Sequence, residues 1–259
     1  MKMSRNIYRT VESLDDIINV VSEISVIGSK PGKRFHLWFR GHANIDWPLV
    51  PSIQRTGLNE EGERCMANDF RIRACQMMID APPKDNYASW VSVMQHYGIP
   101  TRLLDWSRSL LIALYFAVHK SDEQRDGCIW VLCPGGLNQL SGENTIHPLD
   151  SNTAQAMLQT VFKGHEICGR ETLHSILACY SVSNDRRMYA QQSCFTLHNN
   201  RELFLESPKY SEVIHKLRIP GNRKEYFCEA LRQFGISKSY IFPDLDTIAD
   251  VTKGLYGLR

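Results

Sequence analysis

The chain has no Cys-x-x-Cys pair, no Walker loop, no Gly-x-Gly-x-x-Gly, no His-Glu-x-x-His and no Gly-x-Ser-x-Gly. Those spacings cradle phosphates, hold zinc or present a serine nucleophile, so the standard phosphate-loop, zincin and esterase classes lose their support. The eight cysteines, at 65, 75, 128, 133, 168, 179, 194 and 228, have no histidine at a zinc-binding spacing. Reduced, mostly packed thiols are the expectation, and no metal centre. No apolar run approaches the roughly 18 residues of a membrane span. The start, "MKMSRNIYRTVESLDDII", lacks an apolar signal core, which points to a cytoplasmic protein with no membrane attachment. An excess of one charge is missing too: 30 Lys and Arg against 28 Asp and Glu leave +2. That balance argues against wrapping nucleic acid by bulk charge and leaves a local basic groove open. No repeat, low-complexity tract or Ser/Gly-rich linker divides the chain.

What is present is ordinary globular material, 43% hydrophobic, enough to bury a sizeable core. "VESLDDIINVVSEI" places Leu14, Ile17, Ile18, Val21 and Ile24 at helical spacing, with Ser13 as its cap. "SKPGKR" breaks that helix. "FHLWFRG" then reads as a strand, and "EEGERCMANDFRIRACQMM" as a helix stopped by "DAPPKD". Residues 110–118, "LLIALYFAV", are apolar all round, which makes a buried helix. "CIWVLCP" reads as a central strand. Residues 135–170 read as polar and irregular, an inserted loop. "AQQSCFTLH" and "KLRIP" read as strands, and "RKEYFCEALRQFGI" as a helix closed by Gly235. "YIFPDLDTIADVTK" reads as an extended piece, a turn and a last helix. Strands and helices without a regular βαβ alternation predict an α+β fold. It is read as one compact domain, 31–259, behind an N-terminal helical segment, 1–30, with a mixed or antiparallel central sheet and a buried helix.

Three polar groups interrupt the apolar segments. In the first, Phe39-Arg40-Gly41-His42, an arginine at a strand end can hold a phosphate while the glycine lets a ligand approach; it can also be a snorkelling edge arginine. The second is "QHYGIPTRLLDWS", residues 95–107. Here Asp105 or Ser107 would cap the buried helix, bringing its positive end near His96 and Arg102 and favouring an anion. Arg102 and Asp105 equally suit a structural ion pair, and His96 a core histidine. Tyr97 and Trp106 can stack on a planar ring or pack in the core. In the third, Arg187-Met188-x-Ala190-Gln191, a strand glutamine can bond a ribose hydroxyl, although strand glutamines usually face solvent. Gln191 and Gln192 would alternate across that strand.

"FRGH…W…PSIQR", "MQHYGIPTRLLDWSRSLLIALYFAV", "DGCIWVL", "RRMYAQQSCFTLH" and "FGISKSYIFPDLD" together resemble the FRG domain, a family named for its Phe-Arg-Gly triplet. The resemblance runs from about residue 35 to 245. The chain departs from the family at His42, usually glutamine, and at Ser193, often glycine. A weaker similarity is to ADP-ribosyltransferases, in which a first-strand arginine meets NAD and later strands supply a stacking aromatic and a carboxylate. That similarity implies an ADP-ribosyltransferase-like fold and NAD as substrate. Arg40, Gly41, Thr101, Arg102 and the helix start would then bind the cofactor, with Tyr97 or Trp106 on the nicotinamide. Where such enzymes commonly carry a glutamate this chain has "AQQS", so Asp105 would supply the negative charge, Gln191 would orient a ribose hydroxyl and His96 would act as base. The implied function is an NAD-dependent mono-ADP-ribosyltransferase, a toxin or defence effector acting on nucleic acid or protein and restrained by an antitoxin-like partner. Two alternatives stand beside it: a metal-independent nuclease using His96, Arg102 and Asp105, and a non-catalytic binding module.

Overall fold

Ser13 begins the first helix, α1 (Leu14–Ile27), as its spacing predicts. Its hydroxyl accepts from the Asp16 amide at 3.1 Å, and the Asp16 carboxylate accepts from the Ser13 and Glu12 amides at 3.0 and 2.9 Å. The reciprocal bonds satisfy donors that a helix start leaves orphaned. Ile17 and Ile24 are buried, whereas Ile18 is exposed.

The computed structural model describes residues 9–27, 36–119, 125–164, 175–182, 186–199 and 204–258. The expected break at "SKPGKR", Phe35, Cys168 and residues 165–170 lie outside them. The strands are β1 (Arg9–Thr10), β2 (Trp38–His42), β3 (Leu103–Ser107), β4 (Gly127–Leu132), β5 (His147–Pro148), β6 (Ile176–Tyr180), β7 (Ser193–His198) and β8 (Ile214–Ile219). The helices after α1 are α2 (Glu60–Met77), α3 (Tyr87–His96), α4 (Leu110–Val118), α5 (Pro134–Leu140) and α6 (Asn152–Lys163). Then follow α7 (Arg186–Ala190), α8 (Lys224–Gln233), α9 (Lys238–Ile241) and α10 (Leu245–Leu255).

All eight strands form one mixed sheet in the order β1-β8-β4-β2-β3-β7-β6-β5. The two outermost pairs, β1 with β8 and β5 with β6, are parallel; the interior pairs are antiparallel. The fold is α+β, as expected. Two apolar cores flank the sheet. One joins α1, α4 and α5 to β2, β4 and β8, and the other packs α3 and α6 on Leu103, Leu177 and Leu197.

The apolar helix α4 lies directly on β2 and β4. A Cβ on Gly41 would fall 1.8 Å from the Ala113 carbonyl oxygen, and one on Gly127 would fall 2.5 Å from that of Ala117. Helix and sheet backbones therefore meet because both sides carry glycine or alanine at the contact. Gly41 is small for packing, a reason different from the close ligand approach expected of it. Among the described residues no helix is long and apolar enough to cross a membrane. The seven described cysteines are free, four of them buried.

Four local expectations are corrected. Residues 103–107 are strand β3, not the entry to α4, so Asp105 caps no helix; Ser109 stands at that position. Strand pairing to β7 overrides the local reading, because Leu103 to Ser107 bond in register with Leu197 to Ser193. The stretch read as irregular holds α5 and α6 in its described part, with Leu149, Met157 and Leu158 buried. Its polar residues form the outer faces of amphipathic segments. Ala190 ends α7 and Gln191–Gln192 form a turn, Gln192 at φ 47°, so neither glutamine sits on β7. Tyr240 and Ile241 are likewise helical rather than extended.

Candidate functional site

β2 and β3 are sheet neighbours, yet they pair only at Phe39 opposite Ser107. To their other neighbours, β4 and β7, each is paired along five residues. The strands part beyond that point, and a partly open cavity of about 270 Å³ lies between Arg40 and Gly41 on one side and Asp105 and Trp106 on the other. Phe39, Ile112 and Phe116 give it an apolar floor; Gln95 and His96 of α3 and Arg187 and Gln191 from α7 and its turn close two more sides.

Strand alternation decides what faces this space. Leu104 and Trp106 are buried on one face of β3, whereas the Asp105 side chain, on the other, is 54% exposed. Gln95 holds that carboxylate, its Nε2 donating to Oδ1 at 3.0 Å and to Oδ2 at 3.1 Å. The orientation of the amide follows from Thr101. Thr101 Oγ1 accepts from the Leu103 amide at 3.2 Å and donates its own hydrogen to Gln95 Oε1. The amide oxygen is thereby turned to Thr101 and the amino group to Asp105.

The Arg40 side chain spans the gap between the strands. Nη1 donates to the Asp105 carbonyl oxygen at 2.6 Å and stands 3.9 Å from Asp105 Oδ2. Nε donates to His42 Nε2 at 3.0 Å. Burial lowers the Arg40 pKa, Asp105 opposes the shift and Arg55 adds to it; the guanidinium remains charged at any ordinary pH. His42 is pushed down to about 3, first by burial and then by Arg40 and Lys216. It is a neutral imidazole that accepts at Nε2, so its proton sits on Nδ1.

Residues 35–126 match the family model of the FRG domain. That stretch, and not the whole chain, is what is shown to be an FRG domain. No curated protein and no solved structure matches the chain. The FRG match takes in β2, α3, β3 and α4, and with them most of the cavity wall. The sequence blocks after residue 126 lie beyond it. At the position where the FRG resemblance implied glutamine, His42 offers Arg40 an acceptor nitrogen in place of an amide oxygen.

Arg40, Gly41, His96, Asp105, Trp106 and Gln191 meet at the cavity. Tyr97, Thr101 and Arg102 do not line it. Tyr97 is 67% exposed and packs against His96 and Phe70. Thr101 is buried behind Gln95, its amide donating to Ser52 Oγ at 3.0 Å. Arg102 is the ion pair the sequence allowed, but with another partner: Nε and Nη2 donate to the two Glu63 oxygens at 2.8 and 2.9 Å. Its Nη1 donates to Thr160 Oγ1 and the Asn199 carbonyl oxygen. Trp106 lines the cavity while its Nε1 donates inward to Thr196 Oγ1 at 3.0 Å. The expected anion cradle at the start of α4 is absent from the lining; α4 contributes its flank through Ile112, Ala113 and Phe116. Gln95 and Arg187 were missed as site residues. Both stand inside quoted motifs, but only the approach of α3 and α7 to β3 gives them a role.

Proposed function

We propose that the cavity binds the nicotinamide end of NAD and transfers ADP-ribose to an acceptor. The observation carrying this reading is an exposed carboxylate, Asp105, held at both oxygens by Gln95 and facing an apolar floor beside the Arg40 guanidinium. The floor suits a neutral planar ring. A volume of about 270 Å³, below the roughly 300–1,000 Å³ of drug-sized pockets, suits one ring and its ribose rather than a whole dinucleotide. Arg40 and Arg187 are cations for the pyrophosphate beyond it.

In the reaction the C1′–N bond breaks and its electron pair leaves with nicotinamide. Positive charge develops on the ribose, and Asp105 stabilises it. A lone pair on the acceptor forms the new bond to C1′, and the acceptor's proton passes to His96 or water. Gln191 offers hydrogen-bonding capacity for a ribose hydroxyl, although its amide nitrogen already donates to the Ile241 carbonyl oxygen at 3.2 Å. The same reading extends to a toxin or defence effector, whose restraining partner would cover this mouth.

The test is nicotinamide release and label transfer from adenylate-labelled NAD to a mixture of cellular RNA, DNA and protein. Transfer that Arg40→Ala and Asp105→Asn each reduce by about 100-fold or more supports the reading. Absence of both release and an NAD-induced thermal shift would overturn it, as would undiminished activity in both variants.

A further inference from the structure

The mouth of the cavity is more basic than the chain as a whole. α7 follows the sequence Arg186-Arg187-Met188-Tyr189-Ala190, and none of its residues is buried. Arg187 and Met188 line the cavity, so whatever lies along α7 continues into it. Arg108 stands beside this helix, because its backbone amide donates to the Gln192 carbonyl oxygen at 3.1 Å, and its side chain is exposed. Among the described residues, two carboxylates near this opening are engaged. Asp105 lies within the cavity on Gln95, and Asp244, which faces Arg187, caps α10 through the Thr247 amide at 2.7 Å. A chain of net charge +2 thus gathers arginines at one opening.

Tyr189 projects from the same helix at 86% exposure. A phenol ring held in water contributes little to folding. With Arg186 three positions before it on the same helix, it has the composition of a stacking platform, cations for phosphates and one flat face for a base. A duplex keeps its bases stacked inside and offers that ring nothing; a single strand offers both groups. An acidic peptide would meet the arginines and leave Tyr189 without a partner. Charge complementarity and the free ring together select one occupant.

We propose that α7 and Arg108 dock single-stranded nucleic acid, with phosphates on Arg108 and Arg186 and a base on Tyr189, next to the cavity. That this strand is the ADP-ribose acceptor rests on the reading of the cavity as a transferase; the docking does not.

The test is fluorescence anisotropy of the full chain, without NAD. The probes are labelled single-stranded RNA and DNA of about 12 nucleotides, the matching duplex, and poly-glutamate. One or both single strands bind, more tightly than duplex or poly-glutamate, and the tighter of the two identifies the polymer. Tyr189→Ala weakens binding about fivefold or more with an unchanged salt slope, and Tyr189→Phe restores it. Arg186→Ala and Arg108→Ala each lower the log–log salt slope by about 0.7. No strand binding, strand binding indifferent to Tyr189→Ala, duplex binding as tight as that of the single strands, or tighter poly-glutamate binding overturns the proposal. Nicotinamide release from the same preparation separates the two claims. Release without strand binding removes this surface alone, and strand binding without release removes the transferase alone.

Discussion

Two arginines on neighbouring parts of the sheet each meet a carboxylate, and they could hardly be used more differently. Arg102 is 3% exposed, bidentate to Glu63, and its remaining nitrogen donates to Thr160 and Asn199. Every strong bond it can offer is spent within the fold, tying β3 to α2, α6 and the end of β7. Arg40 is 22% exposed and stands 3.9 Å from a carboxylate that Gln95 already holds. It braces the gap between β2 and β3 and keeps donor capacity toward the cavity. A satisfied pair is scaffold, and a half-satisfied pair over an apolar floor is a site.

That contrast can be broken by substitution, and the largest effect belongs to Arg102. Arg102→Ala leaves Glu63 charged and buried, so urea unfolding should show a loss of about 3–5 kcal/mol. The paired replacement of Arg102 and Glu63 by methionine should recover most of it. An Arg102→Ala protein as stable as the parent would mean that the pair does no structural work.

Asp105→Asn should change stability by less than about 1 kcal/mol, because the pair is long and the carboxylate exposed. Its predicted loss is in nicotinamide release, about 100-fold, or roughly 2.7 kcal/mol of transition-state stabilisation. A variant that unfolds instead would place Asp105 with Arg102 on the scaffold side.

His42 tests the brace on Arg40 through pH. Between pH 6.5 and about 3 the unfolded chain binds a proton that the native imidazole does not, so stability falls as pH drops through that window. The slope from this one group approaches about 1.4 kcal/mol per pH unit. His42→Gln keeps an acceptor for Arg40 Nε and removes the titration. The difference between the two denaturation-midpoint profiles should therefore open below pH 6.5 and vanish above it.

The smallest effect is expected at Thr101→Val. Without the hydroxyl, Gln95 Oε1 loses its donor, and the amide is held by the Asp105 carboxylate alone. Stability should fall by about 1 kcal/mol. Nicotinamide release should fall several-fold more than in Ser52→Ala, which touches Thr101 from the side away from Gln95. Equal effects from the two would mean that Thr101 only packs.

Much of the scaffold was readable from local pattern. Ser13 and the apolar spacing after it announced α1, the unbroken apolar run announced α4, and Cys128 to Leu132 announced an interior strand. The failures cluster where a short segment could satisfy its backbone in two ways. Leu103 to Ser107 looked like a helix entry because a helix follows at once, and the pull of β7 is not written near it. Gln191 looked like strand because its neighbours are, while a turn that bonds to Ser107 holds it outside β7. Most of the site was legible as a set of residue types in "FRGH" and "QHYGIPTRLLDWS". Which of those residues face a common space was not.

The sequence by itself determined α1, β2, β4 and α4, the burial of α4 and the FRG match of residues 35–126, because spacing, capping and motif are properties of adjacent residues. Only the tertiary structure decided that Arg102 pairs with Glu63, that Gln95 holds Asp105, and that β2 and β3 part to leave a cavity. Those outcomes depend on segments far apart in the chain arriving side by side. Side-chain hydrogen bonds are satisfied by whatever packing brings within about 3 Å, not by what stands next in sequence.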